Sequence, residues 1–168
     1  MQRRDAEFTE YVAARRTHLR RTAYLMCGDW HTADDLVQTA LAKLYVAWPR
    51  IHRDVPPDAY VRRILVRANI DESRRPWRRE RATEELPESP AEETFAVEDR
   101  EQVRAALARL APGQRTAVVL RYWAGLSVEE VARDMECSIG TVKSQTARAI
   151  ARLRDQLSAL EPTPRRES

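Results

Sequence analysis

Two serines eleven residues apart fix the course of the stretch from Leu126 to Arg154, LSVEEVARDMECSIGTVKSQTARAIARLR. Ser127 is followed three residues later by Glu130. That is the spacing of a capping box, in which each side chain satisfies a backbone N–H at a helix start. Val128, Val131, Ala132 and Met135 then recur at helical spacing, so a first helix is predicted up to Met135. Ser138 offers a second N-cap, leaving Glu136 and Cys137 to join the two helices. A pair of helices joined so tightly is the pattern of a helix-turn-helix, whose second helix lies in the DNA major groove.

Plotted at 100° per residue, the second helix divides cleanly. Ile139, Val142, Thr146, Ala149, Ile150 and Leu153 gather on the side expected to be core. Thr141, Ser144, Gln145, Arg148 and Arg152 gather on a face without a large apolar residue. Hydroxyl, amide and guanidinium groups are the ones that read base edges and hold phosphates. Gly140 lowers helix stability by roughly 1 kcal/mol relative to alanine, and one reason to keep it is close approach to a DNA backbone. The same pattern suits an amphipathic hairpin with a solvated basic face. Capping, turn length and face chemistry together favour DNA.

Few aromatics, four glycines and an abundance of Leu, Ala, Arg and Glu favour an all-helical chain. At 168 residues there is room for one ordinary domain or two small ones. The net charge of +3 hides a segregation: residues 1–80 carry +5, residues 81–101 carry −6 and residues 102–168 carry +4. Two basic lobes joined by an acidic strap attract nucleic acid more strongly than the total suggests. Of the 29 basic residues all but Lys43 and Lys143 are arginine, which suits phosphate binding and equally a GC-rich genome. Cys27 and Cys137 are too few for a metal site or a disulfide framework. His18, His31 and His52 fall on separate elements, with no metal-ligand spacing and no nucleophile–base pair. Neither catalysis, a metal nor a cofactor is expected. The charged start and the lack of an apolar run of about 18 residues argue against a signal peptide or membrane insertion, and for the cytoplasm.

The expected fold is all-α: two small helical domains, residues 1–80 and 97–160, joined by a flexible acidic linker over 81–96, with a disordered tail at 161–168. In the first domain a helix is predicted from Ala6 to Met26, ended by Gly28. A second is capped by Thr32, carries Asp34 and Asp35 in its first turn where the helix dipole favours anions, and stops at Trp48 before Pro49. Its apolar stripe includes Leu36, Leu44 and Tyr45. A polar loop over Arg50–Asp58 leads to a third helix ending near Arg75. There Val61, Ile64, Leu65 and Ala68 face the core, and Arg62, Arg63, Arg67, Asn69, Ser73 and Arg74 form an outer arc interrupted by Val66 and Ile70. Basic residues around Trp77 suit melted DNA, where bases stack, or a fraying helix end. The linker reads either as a solubilising tether or as a mimic of nucleic acid lying on a basic lobe. In the second domain Val103, Leu107 and Leu110 are expected to be buried. A helix from Gln114 to Trp123 should bury Val118, Val119 and Tyr122.

Three segments in this order, DDLVQTALAKLYVAW at Asp34–Trp48, AYVRRILVRANIDESRR at Ala59–Arg75, and LAPGQRTAVVLRYWAGLSVEEVARDMECSIGTVKSQTARAIARLR at Leu110–Arg154, closely resemble the bacterial sigma factors of the extracytoplasmic-function type. The resemblance runs from about Phe8 to Leu157. It implies a subunit without catalytic activity that binds the clamp and flap elements of core RNA polymerase and directs it to promoter DNA. On that basis Asp34, Asp35 and Gln38 lie on the helix that docks on the clamp coiled coil, although the two aspartates also serve to stabilise their own helix. The loop with His52, Arg53 and Asp54 corresponds to the pocket for a flipped minus-ten base, and Arg62, Asn69 and Arg74 would face minus-ten DNA. Extruding a base costs a few kcal/mol, which stacking and hydrogen bonds must offset. Ser138, Gly140, Thr141, Lys143, Ser144, Gln145, Arg148 and Arg152 would meet the minus-thirty-five element. Where the family often carries arginine after KS, this chain has Gln145, which suits adenine rather than guanine. An anti-sigma protein is a common partner in the family, though nothing in the chain identifies one. A stand-alone helix-turn-helix regulator and a helical adaptor are the competing readings. The first leaves the other basic lobe without a purpose, and the second predicts weak, nonspecific DNA binding.

Overall fold

A computed structural model describes residues 2–75 and 97–159. The cluster around Trp77, the linker and the tail lie outside the described residues, as do the side chains of His52, Arg53 and Asp54. Seven helices, and no strand, occupy the described residues. α1 (Gln2–Cys27), α2 (Trp30–Asp54) and α3 (Pro57–Ser73) form one lobe. α4 (Val97–Ala108), α5 (Pro112–Val118, running into a π turn at Val119–Trp123), α6 (Val128–Met135) and α7 (Ile139–Ser158) form the other. The all-helical, two-domain expectation holds.

Gly28 ends α1 with φ +80°, a left-handed conformation that glycine adopts without a Cβ penalty. The next residue, Asp29, caps α2 in place of Thr32. Its carboxylate accepts from the N–H groups of His31 and Thr32 and from the Thr32 hydroxyl. α2 does not stop at Trp48 either; it continues through Pro49 to Asp54, so most of the expected loop is helical backbone. Proline removes the N–H that would bond the carbonyl four residues back, which here belongs to Tyr45. The Arg4 guanidinium donates to that carbonyl at 3.0 Å. Burial of Trp48 and Ile51 gives the helix a reason to continue.

In the first lobe α2 packs on α1 and α3 around Leu19, Ala23, Leu36, Leu44, Trp48, Val61 and Leu65. Each fully buried leucine contributes about 1.5–3 kcal/mol. Tyr45 faces outward, with its hydroxyl donating to Asp5 and its ring edge-on to Phe8. In the second lobe Leu107, Leu110, Leu120, Val131, Val142 and Ala149 are buried. Val103, Tyr122 and Ile139 are exposed, contrary to the periodicity reading. The π turn explains Tyr122: an i→i+5 bond from Ala124 to Val119 rotates the end of the helix out of step with a 3.6-residue repeat.

The two lobes pack together. α5 and its π turn meet α1, where Trp123 Nε1 donates to the Thr22 hydroxyl at 3.1 Å and its ring stacks on His18. Arg115, 8% exposed, donates to the Leu25 carbonyl, and Gly28 leaves the room that its guanidinium fills. Burial lowers the Arg115 pKa. α6 lies on α3, which explains why Val66, predicted on the outer arc, is fully buried.

Two outcomes test this packing. Arg4→Ala should destabilise the first lobe by about 1–2 kcal/mol in urea unfolding, because a carbonyl loses its charged donor. In a Pro49→Ala background, where the substituted position supplies its own N–H, the same change should cost much less; additive effects would dismiss the pairing. Burial first, and then Arg15, hold the His18 imidazole below its ordinary value of 6.5, with Asp58 opposing and Arg21 adding to the effect. The unfolded chain therefore takes up the proton first, so stability falls as pH drops below about 6.5 and levels off under the folded-state pKa. Unfolding midpoints at pH 7.5 and 5.5 should differ more for the natural chain than for His18→Gln.

Candidate nucleic-acid interface

Both serine caps form as the spacing requires. Ser127 Oγ accepts from Glu130 N at 3.1 Å while Glu130 accepts from Ser127 N at 2.8 Å, and that backbone donor holds the Glu130 carboxyl below its ordinary range. Ser138 Oγ accepts from Thr141 N at 3.1 Å and pairs with the Thr141 hydroxyl at 2.9 Å. Between the helices Glu136 takes the left-handed conformation, φ 51°. Half-buried Cys137 closes the turn, its thiol pKa raised by burial.

Val142 and Ala149 anchor α7 in the core, which turns Gly140, Thr141, Lys143, Ser144, Arg148 and Arg152 to solvent together with Ser138. Ala147 and Ala151, which the sequence reading passed over, are exposed between them. Helical geometry puts Gly140, Ser144, Ala147 and Ala151 along the middle of the stripe, with Arg148 beside it. Small centre and cationic flank are the relief a major groove accepts. Gln145 stands apart: it is half-buried, and its amide lies against Gly113 at the start of α5, 3.1 Å from where a Cβ would sit. Arg152 leans the same way, donating to Gln114 Oε1 at 3.4 Å.

In the first lobe the predicted residues do not form one surface. Asn69 is buried, 4% exposed, and is not presented to solvent as expected. Arg62 is engaged by Asp134 of α6, whose other oxygen faces Arg63 at 3.8 Å, and Arg67 donates to Glu136. Arg74 is exposed at the C-cap of α3. His52, Arg53 and Asp54 stand on the last helical turn of α2. Of the acidic pair, Asp34 is tied to Arg20 at 2.6 Å, and Arg20 lies over the Trp30 ring. Asp35 and Gln38 are exposed; Asp35 is 3.8 Å from His31 of its own helix. So Asp34 does secure its own lobe, and Asp35 and Gln38 carry the open part of that face. Sequence reasoning missed Asp134: a lone acid on a polar face gives no sign that the face is covered.

Residues 11–79 match the family described as Sigma-70 region 2, and residues 100–153 match Sigma-70 region 4. An RNA polymerase sigma-E factor of Streptomyces coelicolor is 44% identical over 154 residues, 91% of this chain and 87% of that one. This chain is a sigma factor of the extracytoplasmic-function group. A sigma factor named SigM from Mycobacterium tuberculosis is 36% identical over 83% of this chain and 72% of its own length. Among solved structures, the sigma factor RpoE of Bartonella quintana, in complex with the anti-sigma factor NepR, superposes with a TM-score of 0.75 at 26% identity, covering 92% of this chain and 99% of that one. No group of acids, histidines and cysteines suited to a metal occurs among the described residues, and none of the described helices is long and apolar enough to cross a membrane.

Arg148 and Gln145 should separate in a DNA-binding titration against salt. Arg148→Ala is expected to reduce the slope of log K on log salt by about 1, because one phosphate-neutralising charge is lost. Gln145→Ala should leave the slope unchanged; equal losses in both would contradict the orientation of α7.

Proposed function

We propose that this sigma factor, without chemistry of its own and working in the cytoplasm, divides promoter recognition between its lobes. The observation that carries the reading is the solvent-facing stripe of α7, in a chain whose lobes match regions 2 and 4 in order. α7 enters the major groove of the minus-thirty-five element, with Ser144 central and Thr141, Lys143, Arg148 and Arg152 on phosphates. α3 and the α2–α3 corner, with Arg62, Arg74 and the turn carrying His52, Arg53 and Asp54, engage the minus-ten strand. Asp35 and Gln38, with Asp34 behind them, meet the polymerase clamp, where carboxylate and amide pair with arginine. An anti-sigma partner of the kind bound to the Bartonella protein is the corresponding regulator.

Run-off transcription with core polymerase and genomic fragments from the source organism tests this. Discrete transcripts should require the protein. Asp35→Lys should weaken polymerase association several-fold while α7 still binds duplex DNA; the reverse is expected of Arg148→Ala. Asp35 is the sharper choice over Asp34, whose reversal would also break the tie to Arg20. Sequence-specific DNA binding with no polymerase association would instead establish a stand-alone regulator.

A further inference from the structure

A cavity of about 140 Å³ lies where α1 and α3 meet the end of the π turn. Arg15, His18 and Thr22 line it from α1, Asp58 and Arg62 from α3, and Ala124 from just past the turn. The carboxylate on its wall is already held: Asp58 accepts from the Tyr11 hydroxyl at 2.6 Å and from Arg15 Nε at 3.0 Å. Arg62 likewise spends its Nε on Asp134. A guanidinium carries five N–H donors, so each arginine keeps donors beyond the one so used. The Thr22 hydroxyl is committed, donating to the His18 carbonyl and accepting from Trp123. Trp123 stacks on the face of the His18 ring, which leaves the ring nitrogens at the edge.

Two guanidinium groups against one carboxylate give the cavity a positive wall. The His18 imidazole registers that field: burial first, and then Arg15, disfavour its charged form, with Arg21 adding to the effect and Asp58 opposing. Cationic donors that converge on a small cavity bind anions. Planar guanidinium forks from two helices, with an imidazole between them, suit an acceptor that presents oxygens on several sides. The volume is well below the ~300–1,000 Å³ of sites for drug-sized ligands, so the cavity suits a single tetrahedral group rather than a nucleotide. We infer that Arg15, His18 and Arg62 form a binding site for a small tetrahedral oxyanion of the class of inorganic phosphate, bridging α1 and α3 beside Ala124. The site stands whether or not Arg62 also meets promoter DNA. Such an anion adds negative charge beside His18, where Arg15, Arg21 and Arg62 disfavour a proton and Asp58 favours one. Binding therefore draws a proton onto the imidazole, and affinity rises as pH falls.

The test uses the full chain and inorganic phosphate, with sodium chloride of equal ionic strength as the reference. At ten times its dissociation constant, phosphate should raise the thermal unfolding midpoint by about 3–5 °C over chloride. Broadening of the phosphorus NMR line reads binding directly. Arg15→Gln and His18→Gln should each remove most of the midpoint shift. Every variant is compared with itself in chloride, so its own stability does not enter, and circular dichroism checks its fold. Arg3→Gln, at an exposed position near the start of α1, should keep the shift. Sulfate, whose charge is constant between pH 7.5 and 5.5, should bind several-fold more tightly at the lower pH and lose that gain in His18→Gln. Equal midpoints in phosphate and chloride would overturn the site, as would a phosphate shift that survives both variants. Acetate acting as strongly as phosphate would overturn the assignment to a tetrahedral ligand.

Discussion

A carboxylate that is 1% exposed cannot stand unpaired, and Asp134 finds its pairing on α3. That requirement sets how the lobes meet. With α6 drawn onto α3, Val66 and Asn69 are buried at the middle of that helix and Arg62 is held against Asp134, while Arg63 stays exposed. On the opposite side α7 keeps its polar stripe in solvent. The two helices proposed to face DNA thus differ within one structure: the stripe of α7 is open, and Arg62 of α3 is engaged by Asp134. The rest of the boundary is mixed: Trp123 stacks on His18 and bonds to Thr22, Arg115 bonds to the Leu25 carbonyl, and Val66 is buried.

What could be read from the sequence was what local chemistry decides. Ser127 and Glu130 satisfy each other across three residues, and Ser138 caps Thr141 across three more, so no distant partner is needed to know that these helices start there. The core side of α7 was likewise legible at Val142 and Ala149, where apolar spacing is regular. Legibility failed wherever a distant residue settled the matter. Pro49 reads as a helix stop, yet Arg4, forty-one positions from Tyr45 and on α1, caps the carbonyl that proline frees. Asn69 reads as solvent-facing, and Asp134 goes unremarked, because periodicity distinguishes polar from apolar but not which polar face another lobe will cover. Gln145 belongs to the same class: a plot of α7 alone groups it with Arg148, while the start of α5 holds it aside.

Arginine usage links these failures. In a chain with 27 arginines and two lysines, basic charge is easily taken for nucleic-acid surface. Much of it serves the fold. Arg4 and Arg115 donate to carbonyls, Arg20 stacks on Trp30 while holding Asp34, Arg15 pairs with Asp58, and Arg121 bonds the Leu126 carbonyl. A planar guanidinium with five fixed donors fits carbonyl, carboxylate, aromatic face and phosphate alike, which an ammonium does not. The same property bears on α3: the guanidinium of Arg62 that Asp134 engages is matched equally to a phosphate. Replacing Arg62 by lysine would keep the charge but lose the fork, so the tie to Asp134 and the minus-ten contact proposed for Arg62 should weaken together. Loss of one without the other would mean that the two surfaces do not coincide. On α7, by contrast, Arg148 stands in solvent without a partner among the described hydrogen bonds and ion pairs, so the charge directed there is open to the promoter contact proposed for it.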